Sequence, residues 1–351
     1  MPRFSRRFIG YLVVVFIICV GLGGLAARRV HLARQAPAPT APTQETPKFY
    51  SPLTGEPVAE ELTRRRPVAV MIDNHPDARP QSGLDQADLV YEVLAEGGIT
   101  RYLAVYLDNP VSQVGPVRSA RDYFLDLAME LDALYVHCGQ SPQAEEEIPK
   151  LGINDLNLEF NVPDRFSWRT SDRRAPHNLY TSYERIMGAA AEKGYRTTIV
   201  GQPRELFKRD AALAPTGAPA AEVTIPYPKG YEGYIVSWKY DPATGLYSRF
   251  VKGQPDLDRP TGRQLTTPNI IVQYVRSEPI PKDPALRINV HFVGEGRAQL
   301  FIKGMAVEAK WKKASREAPT VFTDAQGRPL VLVPGRTWIE VVPLETKVDA
   351  K

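Results

Sequence analysis

Hydrophobic and polar positions divide this chain into three textures. An uncharged apolar run, Phe8 to Ala27, comes first. From about residue 50 to 200, short apolar runs alternate with amphipathic ones. From 222 to 345, short apolar runs follow one another with turn residues between them.

The middle texture predicts an α/β layer structure. Pro67–Ile72 reads as a short buried strand ending at Asp73-Asn74-His75-Pro76, and Arg101–Leu107 as a second, closed by Asp108-Asn109-Pro110. Val114–Val117 reads as a third strand and Ala133–His137 as a fourth. Asp88–Glu96 fits helix and strand equally. Ser119-Ala-Arg-Asp122 and Thr181-Ser-Tyr-Glu184 match capping boxes that would open helices, the first running to about Leu131 and the second stopping at Gly194. Ser141-Pro142 is an N-cap followed by proline at the first helical position. The last texture lacks convincing helices. Runs such as Leu246–Val251, Asn269–Val275, Ala306–Lys312 and Thr337–Val342, with turns at Asp241–Gly245 and Asp324–Gly327, predict an antiparallel sheet, sandwich or partial barrel.

The expected fold class is therefore α+β, an α/β layered domain over 50–205 followed by a smaller, mostly antiparallel β domain over 222–345. Residues 206–221, which include RDAALAPTGAPAA, read as a linker. Ahead of the body, 35–49 is a proline-rich linker and 1–34 a membrane anchor. The segment 8–27, at about 1.5 Å per residue, spans about 30 Å, the thickness of a bilayer's hydrocarbon core. Arg3, Arg6 and Arg7 before it favour a cytoplasmic N-terminus and a single-pass protein whose body lies outside, although Arg28, Arg29 and Arg34 blur that bias. Gly-Gly-Leu-Ala-Ala offers an alternative cleavage site, but the apolar run exceeds a usual signal-peptide core, which favours an uncleaved signal-anchor. Phe16-Ile17-Ile18 before Cys19 lacks the small residue that lipid modification needs.

Charge changes the picture of partners. The net charge is +4, from 44 Lys+Arg against 40 Asp+Glu. The six arginines of 1–34 account for the excess, and the rest of the chain is slightly acidic. A nucleic-acid partner is not expected, because that needs a basic face on the folded body. Residues 50–200 carry a net −8 and residues 222–345 a net +4, so contact between the halves is a plausible use of charge. Cys138 is the one cysteine beyond the apolar segment, so no disulfide can form within the body.

Three polar clusters follow apolar strands: Asp73-Asn74-His75, Arg118-Ser119 and His137-Cys138-Gly139. If those strands are parallel, their carboxyl ends share the sheet edge at which open α/β sheets bind ligands. Helix N-termini at Ser119 and Ser141 would favour an anion, and Arg118, Arg121 and Arg101 would supply guanidinium forks. The candidate binding set is Asp73, Asn74, His75, Arg101, Arg118, Ser119, Arg121, His137 and Ser141, with His177 and Asn178 from the loop beginning Arg173-Arg174 as a second wall.

Each of these has a purely structural alternative. His137 can donate to a carbonyl at its strand end, Arg118 and Arg121 can pair with acids of this acidic half, and Asp73-Asn74-His75-Pro76 can be turn chemistry. A Cys138 nucleophile would need His177 as base, since adjacent strand residues face opposite ways. A metal held by Asp73, His75, His137 and His177 is disfavoured because no HExxH or paired-cysteine spacing occurs. No metal and no cofactor is expected. Lys310–Lys313 with Arg316 is the densest basic run of the body and reads as a solvated strand edge protected by lysine, or alternatively as a surface for an anionic polymer or lipid.

Long ordered stretches carry a resemblance: SPLTGEP (51–57), RPVAVMIDNHPDARPQSGLDQADLVYE (66–92), EGGITRYLAVY (96–106), VGPVRSARDYF (114–124), VHCGQSPQA (136–144), APHNLYTS (175–182), YEGYIVSWKYDPATGLYSRF (231–250) and PGRTWIEVVP (334–343). In these the chain resembles the YerB-like family of bacterial lipoproteins, which carry a domain of unknown function in N- and C-terminal parts. The resemblance implies a two-part body, α/β then β-rich, in the cell envelope. It brings no established activity. Two departures matter: the family's lipobox is missing, leaving the apolar segment as anchor, and Cys138 stands where relatives are expected to carry a small residue.

The function expected is a membrane-anchored extracytoplasmic protein that binds an anionic ligand or envelope component. The alternatives are an envelope hydrolase or transferase using His/Asp acid–base chemistry, and a structural partner in an envelope assembly. The expected partners are the cytoplasmic membrane, through 8–27, and an anionic envelope ligand or envelope protein.

Overall fold

The computed structural model describes residues 48–202, 204–227 and 234–351. The anchor at 8–27 and the proline-rich linker as far as residue 47 lie outside them. No helix among the described residues is long and apolar enough to cross a membrane.

The apolar runs of the first half become β1 (Val68–Asp73), β2 (Leu89–Leu94), β3 (Thr100–Tyr106), β4 (Leu134–His137) and β5 (Asp155–Asn157). The second half contributes β6 (Glu222–Pro226), β7 (Ile235–Asp241), β8 (Leu246–Val251), β9 (Asn269–Val275), β10 (Gly294–Ile302), β11 (Met305–Lys313), β12 (Val321–Asp324) and β13 (Thr337–Pro343). The three longer helices among the described residues are α1 (Asp122–Glu130), α2 (Pro142–Lys150) and α3 (Tyr183–Glu192).

One large mixed sheet runs β12-β11-β10-β9-β13-β2-β3-β1-β4-β5. β13 lies parallel to both β9 and β2, so the last long strand of the chain sits in the middle of the sheet. β1, β4 and β5 are mutually parallel, and β3 is antiparallel to β1 and β2. A second, antiparallel sheet is built around β6-β7-β8.

The two faces of the large sheet explain its composition. Val68, Val70 and Ile72 face a core shared with Trp238 and Tyr247 of the second sheet and Ile186 of α3. Ala69 and Met71 face the opposite core, under Phe124 and Leu127 of α1 and Ile148 of α2. Strands covered on both faces read as continuous apolar runs rather than alternating ones. β1, β2, β3 and β9 are accordingly buried along their whole length.

Several sequence expectations change here. The two halves share a sheet: the described residues from 48 onward pack as a single compact unit, and five of the eight second-half strands join the first-half sheet. The expected linker is stitched down. Lys208–Arg209 pairs with Val331–Leu332, Ala218–Pro219 pairs with β11, and Arg209 donates to the carbonyls of Leu53, Val333 and Gly335. β2 resolves as strand because β3 and β13 flank it. Val114–Val117 makes isolated bridges only. α1 starts two residues late, with Arg121 at its N-cap and no side-chain cap, so Ser119 caps nothing. α3 is capped by Ser182 rather than Thr181, and Gly194 just past its end has φ +66°, as predicted. The basic run is not at a sheet edge either, although Lys310 and Lys312 are exposed. β11 lies inside the sheet, Lys313 is buried on Glu130 at 2.8 Å, and Arg316 pairs with Asp122, Asp126 and Glu147.

Candidate functional site

β1 and β4 are paired in register only as far as Val70 and Val136. Beyond that the strands part, and the 116–118 segment enters between them. Its Arg118 amide donates to the Met71 carbonyl at 2.9 Å, and its carbonyl accepts from the Cys138 amide at 3.1 Å. The Asp73 amide donates to the Pro116 carbonyl, and Ala120 to Gly139. Asp73, Arg118 and Cys138 are thus brought to one edge by backbone hydrogen bonds. In open α/β sheets the carboxyl ends of parallel strands are the edge where ligands bind. Gly139 turns the chain beside it with φ +68°, and a Cβ there would stand 2.6 Å from the Glu159 carboxylate.

Asp73 is the hub. It is fully buried. Its Oδ1 accepts from the His75 amide at 2.9 Å, and its Oδ2 lies 2.7 Å from His177 Nδ1 and 3.3 Å from Arg118 Nε. A carboxylate on Nδ1 fixes the imidazole with its proton there, which leaves the Nε2 lone pair of His177 outward. The His75 ring stacks on that of His177 with centroids 4.5 Å apart and 18° between planes. Arg118 keeps a quarter of its side chain exposed, and no hydrogen bond among the described residues holds its terminal nitrogens.

The other predicted residues do different work. Asn74 points inward, donating to Glu92 and Thr100 and accepting from Arg79 and Gln81. Arg101 and Arg121 share a single acid, Glu96, which is joined to both. Burial alone would raise the Glu96 carboxyl, but the two guanidiniums override it and hold it at about 2. The pair is therefore a structural clamp rather than two free forks. Ser119 accepts from Arg101 through its carbonyl at 2.9 Å. His137 is fully buried, with its nitrogens against the Gly139 carbonyl at 2.9 Å and Asp155 at 3.2 Å. Ser141 caps α2 by accepting from the Ala144 amide, which occupies a donor that an anion would need. Asn178 pins its own loop by donating to the carbonyls of Thr170 and Arg173.

Burial and then the Glu159 carboxylate push the Cys138 thiol up to about 11. A thiol held protonated is a poor nucleophile, so Cys138 does not serve the site as one. The most informative residue absent from the sequence prediction is Asp77, whose carboxylate joins His75 and His177 in one cluster. Its signal was the short spacing His75-Pro76-Asp77 on a turn. Glu96 gave no signal, because its partners come from β3 and the start of α1.

These features define a class: a mixed-sheet protein with few helices and a carboxylate–histidine–guanidinium cluster where two parallel strands part. Residues 53–196 match the family model described as "Protein of unknown function (DUF3048) N-terminal domain", and 223–339 match its C-terminal counterpart. The chain is 38% identical over 297 residues to the Bacillus subtilis protein named "Putative lipoprotein YerB", covering 84% of this chain and 87% of that one. It also superimposes on a crystal structure of YerB protein from Bacillus subtilis with a TM-score of 0.77 at 35% identity, over 86% of this chain and all of that one. The chain belongs to the YerB-like family.

Proposed function

We propose that this is a membrane-anchored extracytoplasmic protein, held by the apolar segment 8–27, whose strand-end cluster binds an anionic envelope ligand through Arg118 and His177. One observation carries the ligand reading. Arg118 is ion-paired on one side to the buried Asp73, and its terminal nitrogens have no protein acceptor among the described residues. A guanidinium oriented in this way offers a preorganised fork to a phosphate or carboxylate. The uncharged run in the sequence, together with the name "Putative lipoprotein" borne by the relative, supports the location.

Inorganic phosphate and N-acetylglucosamine 1-phosphate, titrated into the full chain by calorimetry, test this. Binding that falls at least tenfold in Arg118→Gln is expected. No heat with either probe at millimolar concentration, or equal binding by Arg118→Gln, would defeat it.

The Asp73–His177 contact at 2.7 Å favours one further reading, a hydrolase or transferase in which His177 Nε2 takes or gives the proton. There, turnover of a phosphate ester is expected to drop at least 100-fold in His177→Ala. Turnover unchanged in that variant excludes it.

A further inference from the structure

His75, Asp77 and His177 each offer one donor atom, and the three atoms lie within 4.8 Å of one another. We infer that these residues form a binding site for a divalent first-row transition ion, with Asp73 as the outer-sphere carboxylate that orients His177. The inference shares His177 with the anion reading but rests on a different observation and goes beyond it.

Asp73 makes this more than a chance meeting of polar groups. Metal-bound histidines commonly donate their second ring N–H to a carboxylate, which sets the tautomer and raises the basicity of the ligating nitrogen. His177 is held in that way, with Nδ1 2.7 Å from a fully buried carboxylate oxygen and Nε2 left as donor. Asp73 is fixed in turn by the His75 amide and by Arg118. Two imidazoles and one carboxylate suit zinc and its neighbours, and leave a coordination position for water or an anion. Arg118 Nε and His177 Nδ1 share the Oδ2 oxygen of Asp73, so the guanidinium lies beside the ring that would hold the ion.

Closing the site takes a small movement. Ligand atoms around a tetrahedral zinc with bonds of about 2.0–2.2 Å sit roughly 3.4 Å apart, so the three donors must draw together by about 1.4 Å. The two that must move are free to do so. His75 and Asp77 stand on an exposed turn, with side chains 39% and 75% exposed. Stacked rings aim their lone pairs along nearly parallel lines, so ligation tilts His75 out of its stack. His75 Nδ1 now accepts from the Asp77 amide at 3.2 Å and lies 3.7 Å from the Asp77 carboxylate. Whichever ring nitrogen takes the ion, that amide bond is given up or its proton pattern reversed. The other buried histidine, His137, cannot join, because both its nitrogens are engaged. Sequence spacing hides the site because His177 lies about a hundred residues beyond the other two donors.

Equilibrium dialysis of the untagged full chain against zinc, followed by cobalt(II) substitution, decides the matter. The expected result is one zinc per chain, removable by chelator, and a cobalt complex with visible absorption of low-coordinate, nitrogen-ligated type. Asp77→Ala, at an exposed turn where folding is not at risk, should weaken zinc at least tenfold, and His177→Ala more. Asp73→Asn should weaken it about tenfold while leaving all three ligands in place. Less than a tenth of an equivalent of bound zinc, or undiminished zinc in the His75→Ala/Asp77→Ala double variant, overturns the inference. Arg118→Gln separates the two readings: it should keep its zinc and lose phosphate. Phosphate binding that depends on Arg118 in a chain that takes no zinc removes the metal site alone. Zinc bound without any phosphate affinity removes the anion reading alone.

Discussion

A chain ended at residue 205 is expected not to fold cooperatively, although those residues contain every expected strand of the first half. In the whole protein, residues Leu89–Val93 of β2 lie beside Thr337–Val341 of β13 in parallel register. Removing β13 turns a strand buried on both faces into an edge strand with a row of unpaired backbone groups. It also removes the second sheet that covers Val70 and Ile72. Two buried acids lose their cations at the same time, Glu92 its Arg249 and Glu130 its Lys313. Circular dichroism during urea unfolding would show a broad, shallow change in place of a sigmoid, and amide proton dispersion would collapse. A protease-resistant fragment 1–205 with a sharp transition would refute the single-unit architecture.

The second large effect concerns Arg249. It is fully buried between the two sheets, joined to Glu92 and to Asp256, with its guanidinium 4.8 Å from the Trp338 ring centroid. Glu92 comes from the first half and Arg249 from the second, so this ion pair lies on the contact between them. Arg249→Met should destabilise the protein by about 3–5 kcal/mol, because removing one partner leaves buried carboxylates uncompensated. The urea midpoint measures it. Adding Glu92→Gln to that variant should restore part of the loss, since the stranded charge goes too. A single variant within 1 kcal/mol of the parent, on the order of a neutral surface change, would show that the cluster contributes little.

The same cluster sets a pH dependence. Glu340 is fully buried and accepts from Tyr227 at 2.8 Å and Trp238 at 3.0 Å. Burial, and then the nearby Glu92 charge, raise its carboxyl to about 8. An unfolded glutamate titrates near 4.3. The folded state therefore holds a proton that the unfolded state has released over most of the interval, and stability falls as pH rises through about 8. Thermal melts from pH 6 to 9 should show that decline, and Glu340→Gln should flatten it. A decline of the same size in the variant would assign it to another group.

Much of the fold could be read locally. Pro67–Ile72, Arg101–Leu107, Asn269–Val275 and Thr337–Val342 were strands on sight, since apolar runs between turn residues report burial and backbone preference together. Ser141-Pro142 and Gly194 marked helix ends because capping chemistry is decided within a few residues. Of the three strands whose carboxyl ends are expected to share a sheet edge, β1 and β4 do lie parallel. Ser119 and Val114–Val117 were misread. Their local patterns suit a cap and a strand, but the backbone there is used to fill the gap between two parting strands.

Charge followed the same division. The +4 of the whole chain was already traceable in the sequence to the arginines around the apolar segment, and the opposite signs of the halves to a contact between them. The Glu92–Arg249 and Glu130–Lys313 pairs cross that contact in the direction the signs imply. What the sequence alone determined is most of the longer strands, several helix ends, the family and the residues worth watching at strand ends. Tertiary structure alone decided that β13 enters beside β2, that Arg101 and Arg121 close on Glu96, and that His177 reaches Asp73 across 104 positions. The physical reason is that strand formation and capping depend on neighbours a few residues away. Strand order and side-chain partnership depend on which distant surfaces bury one another, and no local spacing encodes that.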